Sequence, residues 1–124
     1  MRWLVVILVC AGCQDIELSA MHPPPPGATL EVDRDAESIE LSVGTAAAIE
    51  CSFAGYDPCA DLEVISEDAV ITIYPLHIGG LDSYSWTRDS PRSGFVVLGN
   101  EIGSGELEIR SNDGEKHYRI EVVE

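Results

Sequence analysis

Cysteines, histidines and grouped carboxylates are the residues through which this 124-residue chain could do chemistry. The four cysteines form two unlike pairs. Cys10 and Cys13 have the C-x-x-C spacing of redox and zinc motifs, but they lie in an apolar leader with no second ligand pair. Cys51 and Cys59 bracket a short stretch containing Gly55 and Asp57-Pro58, both turn formers. Two chemistries are open to that pair, a structural disulfide or a reactive dithiol. No histidine or basic residue lies nearby in sequence to stabilise a thiolate, which favours the disulfide. His22, His77 and His117 are isolated from one another. The sequence has no nucleophile elbow, H-E-x-x-H or phosphate-cradling glycine loop. A Ser-His-Asp arrangement is defined by geometry and is not settled by spacing. The chain is therefore read as non-enzymatic, with no cofactor and no metal assigned.

Two weaker binding signals remain. Asp57, Asp61, Glu63, Glu67 and Asp68 crowd either side of a short β segment, and loop carboxylates can hold calcium. The D-x-D-x-D-G spacing is missing, so the simpler reading is a solvated charged rim. Tyr84 and Trp86 share one face of an extended Leu81–Thr87, and Arg88 and Arg92 concentrate scarce positive charge close by. Aromatics two residues apart can stack on sugar rings or anchor a protein contact, and Trp86 can equally be core beneath a long loop. The polar stretch from Gly79 to Gly94 is where a binding site is expected first.

Charge narrows the partners. The formal net charge is −15, from 22 acidic and 7 basic residues. Such a surface repels phosphate backbones, which excludes nucleic acid as a natural ligand. Cationic ligands, divalent ions or no ligand at all remain compatible.

The amino terminus reads as an address. Arg2 is followed by the apolar run Trp3 to Val9, far short of the ~20 residues a spanning helix needs. Ala11-Gly12-Cys13 comes next, then Gln14 and Asp15. This resembles the lipobox of bacterial lipoproteins, with Cys10 standing where the family usually has leucine. The resemblance implies cleavage after residue 12, acylation of Cys13, and a bacterial envelope location. Gln14 rather than aspartate after the cysteine leans towards the outer membrane. Acyl chains contribute ~0.8 kcal/mol per buried methylene, enough for lasting attachment when two or three are present. An oxidising envelope in turn predicts that Cys51 and Cys59 are bonded.

Residues 13–27 read as a lipidated cysteine and tether, because Pro23-Pro24-Pro25-Pro26-Gly27 favours a stiff polyproline II spacer. Met21 and His22 are read as linker. Residues 28–124 then alternate apolar and polar side chains with period two. Leu30 and Val32, Ile39 to Val43, Ala47 to Phe53, Leu107 and Ile109, and Tyr118 to Val122 each place apolar side chains on one face. Turn clusters such as Gly44-Thr45 and Asn112-Asp113-Gly114 separate them. The expectation is an all-β, immunoglobulin-like antiparallel β-sandwich of about seven to eight strands. Glu31, Asp33 and Asp35 would protect the first of these strands if it is an edge.

The order of pieces resembles a bacterial immunoglobulin-like domain of the Big type. Ile39-Glu40-Leu41-Ser42-Val43-Gly44-Thr45 with Ile49 matches its opening pattern. Gly103-Ser104-Gly105-Glu106-Leu107-Glu108-Ile109 and Tyr118-Arg119-Ile120-Glu121-Val122 match its ending. The Gly79–Gly94 stretch and the Cys51–Cys59 pair depart from the pattern. Together the two resemblances imply an envelope-anchored domain for protein interaction, adhesion or envelope assembly. A glycan- or calcium-binding module is the alternative.

Overall fold

The computed structural model describes residues 16–53, 57–78 and 92–124. All regular structure among them is β, in ten strands. These are β1 (Ile16–Ala20), β2 (Leu30–Asp33), β3 (Ser38–Ser42), β4 (Ala46–Phe53), β5 (Asp57–Pro58), β6 (Glu63–Ile65), β7 (Ile71–Ile78), β8 (Arg92–Gly99), β9 (Gly103–Ser111) and β10 (Gly114–Val123). They form two sheets packed as a sandwich. One has the order β1-β4-β8-β7 with β5 beside the end of β4, and the other β2-β3-β10-β9-β6.

The period-two pattern explains the core. Ile39 and Leu41 of β3, Leu107 and Ile109 of β9, and Tyr118, Ile120 and Val122 of β10 point inward from one sheet, all buried. Ile16, Leu18, Ala47, Ile49, Cys51, Phe95 and Val97 meet them from the other. Polar residues between them, such as Glu106, Glu108 and Arg119, face solvent or lie part-buried on the outer face. Burying one such aliphatic side chain contributes about 1.5–3 kcal/mol.

The all-β sandwich is as expected, and two details of its organisation differ. First, Ile16–Ala20 is a strand of the sandwich, not tether. It pairs antiparallel with β4, from Ile16 opposite Phe53 to Ala20 opposite Ile49. Ile16-Glu17-Leu18 alternates, and its two apolar side chains are almost fully buried. The proline run that follows is a crossover between sheets. His22 Nε2 accepts from the Ala48 N–H at 3.0 Å, so Nδ1 carries the proton and donates to the Pro23 carbonyl at 2.9 Å. The run ends in a turn, with the Ala28 N–H donating to the Pro25 carbonyl at 3.0 Å and Gly27 at φ 78°. Pro at the second and a left-handed Gly at the third position suit a type II turn.

Second, the sandwich is mixed. β10 runs parallel to β3, from Arg119 beside Ser38 to Val123 beside Ser42, while the other ladders are antiparallel. Ten strands also exceed the expected seven to eight, through β1, two-residue β5 and three-residue β6. The edge placement of β2 does hold, with Glu31 and Asp33 exposed on it.

Candidate functional site

Ladder registers sort the loops into two ends. Ile16 lies opposite Phe53, so the start of β1 shares an end with the segment that follows β4. The turn between β2 and β3 is at this end too, held by an ion pair of Arg34 Nη1 with Glu17 Oε2 at 2.8 Å. The Asn112-Asp113 turn joins them: the Ala60 N–H donates to Asp113 Oδ2 at 3.1 Å, the Asn112 N–H to the Ala60 carbonyl at 2.9 Å, and Asn112 Nδ2 to Asp61 Oδ2 at 2.6 Å. At the other end lie the proline run, the Val43-Gly44 turn and residues 100–102.

Cys51 and Cys59 form a disulfide, as expected, with Cα atoms 5.6 Å apart. Cys51 is on β4 and Cys59 just beyond β5, and its N–H donates to the Cys51 carbonyl at 3.3 Å. Both are buried in the core. The bond therefore fixes the passage from one sheet to the other, and no free thiol pair is present there.

Beside it an open cleft of about 550 Å³ separates the two sheets. Leu62 and Val64 line it from one side, with Ile73, Pro75, Leu76 and Phe95 from the other. The cleft follows from the edges: β6 and β7 end their sheets on the same flank, and no strand among the described residues bridges them. Pro75 removes one backbone donor from β7, and β6 is only three residues long. Both features protect an edge against strand pairing. Sequence reasoning missed this cleft because three segments far apart in the chain build it.

The acidic group is divided. Asp61 accepts from Asn112 at the disulfide end, and Glu63 stands opposite Arg110. Asp68 Oδ2 accepts from the Glu106 N–H at 2.9 Å, further along the sandwich. Asp61 and Asp68 thus have partners at separate places, and among the described residues this acidic set forms no group with metal-ligand geometry.

A different charged group forms on the outer face. The β9–β10 register puts His117 opposite Glu108 and Glu115 opposite Arg110. Ligand atoms of Glu108, Glu115 and His117 lie within 4.8 Å of one another. Such a set could hold a divalent ion, but Arg110 already occupies it, with Nη2 at 2.7 Å and Nε at 2.9 Å from Glu108 Oε1. Hydrogen bonding with Glu115, then with Arg110, lowers the Glu108 pKa below its ordinary value. The arrangement is a solvent-exposed ion-pair network, of the kind whose pairs contribute little each. Alternation about the Asn112-Asp113 turn was the signal that could have found it.

Of the residues expected to bind, Tyr84, Trp86 and Arg88 lie outside the described residues, as does Cys13. Arg92 opens β8, its backbone opposite Ile78 at the disulfide end. His77 is on β7. His117 is exposed, with Tyr118 inward, as the alternation requires. Tyr118 was expected only as core. Its hydroxyl is buried near the Leu18 backbone but makes no hydrogen bond of good geometry. Burial raises its pKa, and the Leu18 backbone offsets this in part.

No helix among the described residues is long and apolar enough to cross a membrane. No family model matches the chain, and no curated protein does. Among solved structures, domains 4 and 5 of the S-layer protein SbsC are similar at 14% identity and a TM-score of 0.46, over 78% of this chain and 47% of that one. The rSbsC(31-844) structure is similar at 17% identity and a TM-score of 0.49, over 77% of this chain and 13% of that one. The chain thus spans about half of the first of these structures and a small part of the second.

Proposed function

We propose that this chain is a bacterial lipoprotein, acylated at Cys13, that presents a Big-like immunoglobulin-type sandwich in the cell envelope and acts by protein contact rather than catalysis. The observation that carries the reading is the sequence Ala11-Gly12-Cys13 behind a short apolar run, with a folded domain beginning directly after it at Ile16. A buried Cys51–Cys59 bond supports an oxidising compartment. The His22 ring is engaged in holding the proline crossover, a structural use that suits a contact domain. Outer-membrane sorting rests on Gln14. A partner is a second envelope protein, with glycan as the alternative that Tyr84 and Trp86 would serve.

Palmitate-analogue labelling and mass spectrometry of the native N-terminal peptide test the anchor. A thioether-linked diacylglycerol on Cys13 is expected, and Cys13→Ser should lose the label and leave the membrane fraction. An unmodified Met1 in a soluble fraction would overturn the reading. Polysaccharide titration separates the ligands: fluorescence quenching abolished by Trp86→Ala would favour glycan over protein.

A further inference from the structure

We infer that the anchored domain stands end-on at the bilayer, its disulfide end held against the headgroups and its proline-turn end facing outward. This rests on acylation of Cys13, and it follows from how little chain separates that residue from the fold. Only Gln14 and Asp15 intervene before Ile16. Three Cα steps span at most about 10–11 Å when fully extended. Fraying cannot lengthen the leash cheaply, because Ile16 and Leu18 are 2% and 1% exposed and β1 is paired along its length with β4. The proline run, which would have served as a spacer, lies beyond β1 and is folded into the sandwich between β1 and β2.

Direction follows from the ladder. β1 runs away from Ile16 along β4, and the Met21 N–H continues it by donating to the Ala48 carbonyl. The eight residues of β4 cover about 25 Å at the rise of a strand, which sets the opposite end well outside the headgroup layer.

The two ends differ in what they offer. The anchored end presents Asp35, Glu37, Asp57 and Asp61 as exposed carboxylates. Among the described residues this end exposes no large apolar side chain that would carry it into the apolar layer, and the short leash is what holds it there. The outward end carries exposed Pro23–Pro26, Val43 and Ile102. Its turns are therefore the part of the domain that lies farthest from the bilayer.

Depth-dependent quenching tests this on the acylated full-length product in phosphatidylcholine vesicles doped with headgroup-nitroxide lipid. Fluorophores are placed by Ala36→Cys at the anchored end and by Ile102→Cys at the outward end. Quenching at residue 36 is expected to exceed that at residue 102 severalfold. Inserting about twenty Gly/Ser residues between Asp15 and Ile16, a coil of roughly 25 Å, should erase the difference. Equal quenching at both sites in the acylated, uninserted protein would overturn the orientation while leaving the anchor intact. A chain that mass spectrometry shows to carry no lipid would overturn both.

Discussion

The two ends of the sandwich are closed by different means. At the proline-turn end the sheets approach closely. A Cβ on Gly99 of β8 would lie 3.0 Å from Val122 Cγ1 and 3.2 Å from the Ser42 carbonyl oxygen of the facing sheet. Gly44, in the turn that leads from β3 of one sheet to β4 of the other, donates its N–H to the Gly99 carbonyl at 2.8 Å. At the other end the sheets part around the cleft, and a disulfide with side-chain bonds to Asp61 and Asp113 does the joining. Where turns are short and a glycine permits contact, backbone hydrogen bonds suffice. Where the chain crosses between sheets through longer segments, a covalent bond replaces them.

The contrast can be broken in order of size. Leu18→Ala removes a side chain buried in the core and should cost about 2–5 kcal/mol, the range for such truncations, read as a lowered denaturation midpoint. Replacing Cys51 and Cys59 together by alanine should cost about 2.6 kcal/mol on the chain-entropy model, and hydrogen exchange should rise first at the cleft end. Gly99→Ala should cost about 1–3 kcal/mol through overpacking, with exchange rising first at the opposite end. If both changes loosen the same end, the two are not closed independently.

Tyr118→Phe sharpens the picture with a smaller effect. Its hydroxyl is buried without a good partner, so its loss should be neutral or stabilising by up to about 1 kcal/mol at neutral pH. The phenol pKa is raised above 10.0 in the fold, chiefly by burial. The stability this supports is complete below pH 10.0 and is lost as pH climbs through the raised value, because the unfolded chain ionises first. Tyr118→Phe should therefore resist alkaline unfolding better than the parent, in melts taken across that range.

Glu108→Gln should have the smallest effect. The lowered Glu108 pKa supports stability that is complete above the ordinary carboxylate range and lost as pH falls through the lowered value. The variant should flatten that acid limb slightly, and salt should mask the difference.

Much of the sandwich was legible because alternation reports burial directly. Leu107, Ile109, Tyr118, Ile120 and Val122 all point inward as their spacing demands. Alternation does not encode strand direction, so the parallel pairing of β10 with β3 was not readable from either segment. β1 was hidden differently. Five alternating residues between an apolar leader and four prolines look like linker, and their partner β4 begins 26 residues after Ala20 at Ala46. The disulfide was legible from the turn formers between its cysteines. The Glu108–Arg110–Glu115–His117 network was signalled only by the Asn112-Asp113 hairpin turn, and the cleft not at all, since it depends on how strands far apart in sequence pack.

A comparison of chains beginning at residue 14 and at residue 28 tests most directly that the folded unit starts at Ile16. Removing β1 deletes the buried Ile16 and Leu18, whose burial contributes about 1.5–3 kcal/mol each. At roughly 4–8 °C per kcal/mol, the shorter chain should melt at least about 12 °C lower or fail to fold. Equal, cooperative melting of the two chains would show that the strand is an appendage and that the leash extends to the prolines after all.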